Sequence, residues 1–277
     1  MPLVKLTGLL LFAAMLCGCV AAPQKPAENP AAEYTPQIKI TTADTTVAGQ
    51  DAVLVNLKEE TSVCSITGAG CYLLSGTLSG KIEIDAQDQI VHLILGGVDV
   101  RSVSGPALQV NSAGKVIVTL QEGTVNTLRD SAPYWQGSQA DACIYSECDL
   151  TINGTGSLNV SGYYEDGIHT KDVLKILGGK VFVEAKQDGI QGNDGIVVTC
   201  PTLTVQSERN GLYTTKTGKP AKGNIEIYSG DHSIIAGGYA ISCVADLYLD
   251  QCSLYATGIL DTYKVDGKAF IAEASDA

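Results

Sequence analysis

The chain repeats one short motif at a fixed interval. Asp166-Gly167-Ile168 returns 22 residues later as Asp188-Gly189-Ile190 and, after the same interval, as Asn210-Gly211-Leu212. A second acidic column keeps this step, with Asp172 and Asp194 each six residues after the first aspartate. A constant period in this range is typical of a solenoid, in which every repeat packs only against its neighbours.

The apolar residues predict the structure of each repeat. Residues 174–183 and 196–205 each read as a short strand, a turn and a second short strand, with alternate side chains apolar. A third apolar position, such as Ile168 or Ile190, precedes each unit by six residues. Three inward-pointing edges per repeat predict an all-β fold. The expected form is a single-stranded, right-handed parallel β-helix with three short strands in each coil of about 22 residues.

Two insertions interrupt the period, at residues 129–139 and 217–223. We expect both to be loops that leave the coils, and such loops often build the binding face of a solenoid. A β-sandwich is the alternative interpretation of the short strands, although it does not explain a constant step.

The first residues have the layout of a secretory signal. A single Lys5 precedes a short apolar run that ends in Leu16-Cys17-Gly18-Cys19. This ending resembles the bacterial lipobox, so we expect residues 1–19 to be a lipoprotein signal in which Cys19 becomes the lipidated N-terminus. An ordinary cleaved signal is the alternative. Residues 20–36 are rich in Pro and Ala and predict an extended tether, which leaves 37–277 as the folded domain. The protein is thus expected to be exported and membrane-anchored at the cell surface or in the envelope.

The net charge and the cysteines narrow the choice of partners and compartment. A net charge of −12 argues against nucleic acid as a partner, because nucleic-acid phosphates require clustered Lys and Arg.

The cysteines bear on the redox state of the chain. An exported chain permits disulfides, whose connectivity the sequence does not fix. Buried reduced thiols are an equally good interpretation of the seven cysteines that follow the lipobox. Neighbouring cysteines would pair as Cys64–Cys71, Cys143–Cys148 and Cys243–Cys252, leaving Cys200.

The two acidic columns predict a cation site. Equivalent residues of successive coils lie about 4.8 Å apart. Two carboxylates at that distance repel by roughly 1 kcal/mol in water and ~3.5 kcal/mol at an effective dielectric of 20. A calcium ion between them would meet oxygen atoms at a normal bonding distance. The expected calcium ligands are the oxygen-bearing residues of both columns and the adjacent corner, namely Asp166, Asp188, Asn210, Asp172, Asp194 and Glu165. The alternative is that each Asp-Gly pair is only a turn in which Asp bonds its own backbone.

Several ordered segments resemble one bacterial protein family. They are residues 73–85 (LLSGTLSGKIEID), 95–100 (LGGVDV), 118–128 (VTLQEGTVNTL), 149–158 (DLTINGTGSL), 164–168 (YEDGI) and 172–176 (DVLKI). The family is the β-helical carbohydrate-binding domain of bacterial surface proteins. The resemblance implies a pectate-lyase-like fold, bound calcium and an association with cellulose or pectic polysaccharide. This chain departs from the pattern after Gly211, where Tyr239-Ala240-Ile241 replaces a further Asp-Gly-Ile, so we expect fewer metal sites.

Together, these observations predict a cell-surface lipoprotein that binds cellulose or pectic polysaccharide without acting on it. Exposed aromatic rings are the candidates for stacking on sugars, namely Tyr164, Trp135 and Tyr213. One alternative is a calcium-dependent polysaccharide lyase that uses a cationic side chain as its base. The candidate bases are Lys171, Lys186, Arg209 and Lys216. A passive surface adhesin or spacer is the other alternative.

Overall fold

The computed structural model describes residues 34–47, 51–134, 137–218 and 222–271. In this part of the chain there are twenty-five strands and one short helix, and the named strands pair in parallel. Each pass of the chain adds one strand to each of three faces, so the chain coils as a β-helix-like fold. The all-β, parallel-sheet architecture predicted from the repeat is confirmed.

The bounds of the elements follow in chain order. The helix α1 is Thr42–Thr45, and the strands are β1 (Val53–Leu57), β2 (Val63–Ile66), β3 (Gly70–Leu78), β4 (Lys81–Asp85), β5 (Ile90–Arg101), β6 (Leu108–Ser112), β7 (Lys115–Leu120), β8 (Val125–Arg129), β9 (Ala142–Ser146), β10 (Leu150–Gly154), β11 (Ser157–Gly162), β12 (Asp166–Thr170), β13 (Val173–Ile176), β14 (Lys180–Ala185), β15 (Ile190–Gly192), β16 (Gly195–Val198), β17 (Thr202–Ser207), β18 (Leu212–Tyr213), β19 (Asn224–Ile227), β20 (Gly230–Ala236), β21 (Tyr239–Cys243), β22 (Leu247–Leu249), β23 (Cys252–Gly258), β24 (Asp261–Val265) and β25 (Ala269–Ile271).

The strands fall into three faces, numbered here for reference. Face 1 is the nine-stranded sheet β2-β4-β6-β9-β12-β15-β18-β21-β24. Face 2 contains β1, β7, β10, β13, β16, β19, β22 and β25, and face 3 contains β8, β11, β14, β17, β20 and β23. The long strands β3 and β5 cross from face 2 to face 3 and join them into one sixteen-stranded sheet.

The inward-facing side chains of the three faces form one continuous core. Ile168, Ile190 and Leu212 stack on face 1, and Leu174 and Ile196 stack on face 2, all without exposed surface. Burying a side chain of this size stabilises the fold by about 1.5–3 kcal/mol. The columns that the apolar pattern predicted therefore stabilise the stacked coils.

The repeat length varies where insertions enter. The 22-residue step holds from Ile168 to Ile190 and from Ile190 to Leu212, because these residues pair directly. The step is longer between Leu212 and Ile241, and between Leu108 and Ile144, which also pair in adjacent strands. These two intervals contain the predicted insertions, which fall between strands as expected.

Residues 93–100 have the same sequence pattern as the strand–turn–strand units, with apolar residues on both sides of a Gly-Gly pair, but in the structure they lie within one strand. β5 runs without interruption, and its first half pairs with β7 while its second half pairs with β8. Gly97 has a φ of +85°, which allows the strand to bend between the two faces. The Gly-Gly pair therefore marks a bend within one strand.

The glycines of the Asp-Gly repeat are required by close packing. A Cβ at Gly167 would lie 2.2 Å from Val183 Cγ1, and a Cβ at Gly189 would lie 2.2 Å from Val205 Cγ1. Neither distance is sterically possible without movement of the coil. The glycine column thus lets the chain turn tightly from face 3 into face 1.

Residues 34–46 form an N-terminal strap that lies along the outside of face 2. Tyr34 stacks on Tyr248 at the last coils, with ring centroids 4.2 Å apart, and its hydroxyl donates to Glu226 at 2.6 Å. The backbone N–H groups of Gln37 and Ile38 donate to the same Glu226 carboxylate. The strap therefore runs from the C-terminal coils towards the N-terminal ones, opposite to the direction in which the coils are stacked.

Asp44 fixes the other end of the strap. Its side chain is fully buried and accepts hydrogen bonds from Lys115 at 2.7 Å, Lys175 at 2.8 Å and the Thr151 hydroxyl at 2.8 Å. Asn153 Nδ2 also donates to the carbonyl oxygen of Asp44 at 2.9 Å. A buried carboxylate is tolerated here because two ammonium groups and a hydroxyl replace its hydration.

No helix among the described residues is long and apolar enough to cross a membrane. The predicted signal, Cys19 and residues 20–33 of the predicted tether lie outside the described residues.

The seven cysteines that follow the lipobox are free thiols. Burial raises the pKa of Cys200 to about 12 and that of Cys243 to about 11. The structure thus agrees with the interpretation of reduced thiols and contains none of the three disulfides considered from the sequence.

Candidate functional site

The predicted column of Asp166, Asp188 and Asn210 forms, and its side chains bond to the backbone of the next coil. Asp166 Oδ1 accepts from the N–H of Asp188 at 2.8 Å, and Asp188 Oδ1 accepts from the N–H of Asn210 at 2.9 Å. Asn210 Oδ1 accepts from the N–H of Tyr239 at 3.3 Å. The column is therefore a hydrogen-bond ladder that ties successive coils together at the corner between faces 3 and 1.

Arg209 supplies a positive charge to this ladder. Its Nε donates to Asp188 Oδ1 at 2.9 Å, and its second guanidinium nitrogen donates to Oδ2 of the same carboxylate. Asn210 Nδ2 also donates to Asp188 Oδ1 at 2.8 Å. Asp188 is fully buried, so this bidentate pair compensates its charge without a metal.

Lysine ammonium groups lie at the second predicted column. Lys216 Nζ is 3.0 Å from Asp194 Oδ1 and 3.7 Å from Asp172 Oδ1. The Lys216–Asp194 contact is an ion pair whose geometry does not meet that of a hydrogen bond. Lys222 pairs with Asp194 Oδ2. Burial alone would raise the pKa of Asp194, but the two lysines hold it below its ordinary value. Burial and the charge of Asp194 raise the pKa of Asp172.

Asp166 differs from Asp172, Asp188 and Asp194, the other acids of the two columns, because no salt bridge to it is present among the described residues. Burial, and then the charge of Asp188, raise the pKa of Asp166 to about 8. Asp141 and His169 lie beside it, and one potential ligand atom from each of the three residues falls within 4.8 Å of the others. This cluster, Asp141–Asp166–His169, is therefore a candidate cation site within the described part of the chain, and a bound cation would favour the ionised form of Asp166.

His169 orients the cluster through both ring nitrogens. Nδ1 is 2.5 Å from Asp141 Oδ1, and Nε2 accepts from Gln191 Nε2 at 2.9 Å. Nδ1 therefore carries the ring hydrogen and donates a hydrogen bond to Asp141. The groups of the cluster that could bind a cation are then the carboxylate oxygens of Asp141 and Asp166. Glu165 is adjacent in sequence, and burial followed by the charge of Asp141 raises its pKa.

The candidate aromatic residues have different surroundings. Tyr164 stacks on Tyr134 with ring centroids 4.1 Å apart, so one of its ring faces is covered. Tyr213 is half-buried on face 1, with the Arg209 guanidinium 5.9 Å from its ring centroid. Trp135 lies outside the described residues.

A row of polar and aromatic side chains runs along the outer side of face 1, although four of its members, Tyr145, His169, Gln191 and Ser242, are buried. These residues pair directly from strand to strand, so they stand about 4.8 Å apart. In order they are Glu83, Gln109, Tyr145, His169, Gln191, Tyr213, Ser242 and Lys264. Hydroxyl, amide, imidazole and charged groups thus follow one another along the solenoid axis.

A groove of about 520 Å³ opens over the first part of this row. Tyr145 forms its floor, Lys81, Gln109 and Asn111 line one part, and loop residues 104–106 and 138–140 enclose it. Lys81 Nζ donates to Gln109 Oε1 at 3.1 Å, and Gln109 Nε2 donates to Asn111 Oδ1 at 2.8 Å. The groove therefore presents a connected set of hydrogen-bonding groups, partly exposed to solvent.

The groove and the acidic cluster are neighbours. Ala140 lines the groove and directly precedes Asp141, and the rings of Tyr145 and His169 meet edge to face with centroids 5.6 Å apart. Any cation held by Asp141 and Asp166 would thus lie next to the groove.

A parallel β-helix-like scaffold with a polar groove on one face is typical of solenoids that bind ligands. The chain belongs to the carbohydrate-binding domain-containing protein family, whose family model matches residues 59–268. A carbohydrate-binding domain-containing protein of Acetivibrio thermocellus is 32% identical over 214 residues, which are 75% of this chain and 75% of that protein. The structure also resembles the gadolinium derivative of the polysaccharide lyase-like protein from C. thermocellum, with a TM-score of 0.76 and 28% identity, covering 80% of this chain and 96% of that one. The family resemblance noted in the sequence is confirmed.

Sequence reasoning missed Asp141, His169, Gln109 and Asn111. A signal for Asp141 was present, because Ala142 pairs with Asp166 and places Asp141 at the same corner. The unequal step between these coils hid that register. Gln109 and Asn111 carry no repeat signal. One of the two loops that enclose their groove, residues 138–140, overlaps the end of the insertion at 129–139, whose path has no period.

Proposed function

We propose that this protein is a surface lipoprotein that binds polysaccharide along face 1 without cleaving it. The observation that carries the proposal is the polar groove over Gln109 and Tyr145, within a family of carbohydrate-binding domains. The N-terminal strap covers much of face 2, which leaves faces 1 and 3 for a long ligand. Lipidation at Cys19, export to the cell surface and a right-handed coil, the usual hand of parallel crossovers, belong to the same proposal.

Amide and charged groups spaced along a flat sheet suit a glycan. A sugar residue offers several hydroxyl groups that both donate and accept, and Gln109, Asn111, Lys81 and Glu147 offer both kinds of partner. Tyr213 extends the row beyond the acidic cluster and adds a partly exposed ring for stacking. The length of face 1, nine strands, allows several consecutive sugar residues to be held at once.

Calcium is part of the proposal, at a position revised from the sequence expectation. The expected columns fit a cation less well, because Arg209 pairs with Asp188 and Lys216 and Lys222 pair with Asp194. The carboxylates of Asp141 and Asp166 are the oxygen donors that lack such a partner among the described residues. When bound there, calcium would supply positive charge beside the groove and could accept a uronate carboxylate.

A lyase is the second candidate, because the solved relative is described as polysaccharide lyase-like. The four basic residues considered as its base are engaged in this chain. Arg209 pairs with Asp188, Lys216 with Asp194, and Lys186 with Glu208 at 2.5 Å. Lys171 Nζ lies 5.7 Å from the centroid of the Tyr145 ring. These contacts favour binding over proton abstraction.

The test is retention of the protein on polygalacturonate and on cellulose, with calcium and with a chelator. We expect retention without new ultraviolet absorbance, because absorbance from unsaturated sugar ends would indicate a lyase. Gln109→Ala combined with Asn111→Ala should weaken retention, and Gln206→Ala on the exposed part of face 3 is the matched control. Equal retention of both variants would reject face 1 as the binding face, and no retention of the parent would favour a spacer.

A further inference from the structure

The last coil of the solenoid presents an apolar pair to solvent. Ile259 is 85% exposed, the highest value for a large hydrophobic side chain in the described part of the protein, and its neighbour Leu260 is 68% exposed. They form the turn between β23 and β24. Their backbone N–H groups donate to the carbonyls of Ala236 at 3.2 Å and Gly238 at 3.1 Å, so the turn is fixed with both side chains outward.

The chain enters the domain at this same end. Tyr34 is the first described residue, and it packs on Tyr248 of β22 and on Phe270 of β25, the last strand of face 2. The Ile259–Leu260 turn leads into β24, the last strand of face 1. The N-terminal segment and the apolar turn therefore share the C-terminal end of the solenoid.

The length of chain before Tyr34 limits where a lipid anchor can hold the domain. Cys19 precedes Tyr34 by 15 residues, which span at most about 50 Å when fully extended. The opposite end of face 1 is eight strand spacings away, about 38 Å. Contact of that far end with the membrane would require a nearly stretched segment, whereas the C-terminal end needs little of this length.

We infer that the C-terminal coil rests on the lipid bilayer, with Ile259 and Leu260 inserted among the head groups. The inference rests on the proposed lipid anchor at Cys19. Transfer of exposed apolar side chains from water into the membrane interface is favourable in free energy. A covalent lipid anchor keeps the turn close enough to the bilayer for this transfer. Two such side chains would orient the domain, while the lipid supplies the attachment.

This orientation holds the proposed sugar groove away from the membrane. The groove lies over β4, β6 and β9, in the N-terminal half of face 1, and β6 is six strand spacings from β24. That separation is about 29 Å. The groove would therefore stand clear of the bilayer, where extracellular glycan is accessible.

The test places a tryptophan at each end of the solenoid. The one native tryptophan is first removed by Trp135→Phe. Leu260→Trp then reports on the C-terminal turn, and Leu54→Trp is the matched control at the opposite end, where Leu54 is 77% exposed. The lipidated full-length protein is placed in phosphatidylcholine–phosphatidylglycerol vesicles that contain brominated lipids, with circular dichroism to confirm the fold.

We expect the emission of the Leu260→Trp variant to shift to shorter wavelength and lose intensity, and that of the Leu54→Trp variant to stay unchanged. Equal, unquenched emission from both variants would overturn the orientation. A spectral shift that appears without vesicles and grows with protein concentration would assign the turn to contact between copies and also overturn it. Mass analysis of the N-terminal peptide distinguishes failure of the proposed lipid anchor from failure of the proposed orientation. A missing lipid on Cys19 would reject the anchor and this inference together, whereas a lipidated protein with an unquenched tryptophan would reject the orientation alone.

Discussion

Replacing Asp44 by asparagine should release the N-terminal strap from face 2 while the coils stay folded. The carboxylate of Asp44 is the charged partner of Lys115 and Lys175, whose side chains are 13% and 4% exposed. Asparagine keeps the shape and can still accept from Thr151, but it removes the negative charge. The two lysines are then left buried against a neutral group.

The expected size of the effect follows from that burial. Removing one partner of a buried ion pair costs about 3–5 kcal/mol, because the remaining charge is left uncompensated. The lower end applies here, since part of the hydrogen bonding survives. A cost of about 3 kcal/mol corresponds to a roughly 100-fold rise in the population with an open strap, at 1.4 kcal/mol for each factor of ten.

Amide hydrogen exchange measures this opening directly. Exchange of the N–H groups of Asp44 and Thr46, which are bonded within the strap, should speed up by about two orders of magnitude in the Asp44→Asn variant. Asp99→Asn is the matched control. Asp99 pairs with Arg101 and Arg129 but is 32% exposed, so its loss should cost no more than about 1 kcal/mol.

Two results would refute this reasoning. Unchanged exchange in the strap of the Asp44→Asn variant would mean that Asp44 does not hold it. An equal rise in exchange throughout β10 and β13 would mean that the strap and the coils open as one unit, and the independence of the strap would be wrong.

Acid should produce the same release in the unmodified protein. Burial alone would raise the pKa of Asp44, but hydrogen bonds from Lys115 and Lys175 hold it well below its ordinary value. Because the pKa of Asp44 is lower in the folded protein than in the unfolded chain, its ion pairs stabilise the fold fully above the unfolded pKa of about 4. This stabilisation is lost as the pH falls from there towards the folded pKa. The protection factor of the strap amides, which is the intrinsic exchange rate at a given pH divided by the measured rate, should therefore fall below about pH 4. A protection factor that does not change there would contradict the ion-pair explanation.

The remaining predictions concern the metal, the groove and the anchor. Calcium at a hundred times its Kd should stabilise the fold by about 2.7 kcal/mol, and Asp166→Asn should abolish this thermal shift while Asp194→Asn keeps it; the opposite pattern would restore the second acidic column as the site. Gln109→Ala should weaken polysaccharide binding by up to about tenfold, the value of one lost hydrogen bond, and a larger loss in Gln206→Ala would move the site to face 3. Cys19→Ser should move the protein from the membrane fraction to the soluble one, and unchanged fractionation would contradict lipidation.

The repeat was sufficient to predict the coils because their determinants are local and periodic. Asp166-Gly167-Ile168 and Asp188-Gly189-Ile190 recur at the coil step, and each residue has a fixed role that a pattern can reveal: a bond to the next coil, a tight turn and a core contact. The step itself set the strand register, which the pairing of Ile168 with Ile190 confirms.

The charge partners could not be predicted in the same way. A column of acids indicates a need for positive charge, but the sequence does not say whether a metal or a side chain meets it. Arg209 reaches Asp188 from the adjacent corner, and Lys222 reaches Asp194 from an insertion whose path has no period. The strap could not be predicted for a related reason. Asp44 pairs with Lys115 and Lys175, which are distant in sequence and lie at no regular interval from it.

The strap also orders events during synthesis of the chain. A solenoid coil needs only its neighbour, so coils can form one after another as the chain emerges. The strap is made before any of them, yet Tyr34 bonds to Glu226, which lies 192 residues later in the sequence. Its docking surface does not exist until β19 and β22 are in place. A docked strap thus marks a finished domain, and an undocked one exposes Glu226 and the lysine pair of face 2 to proteases and chaperones that survey incomplete chains.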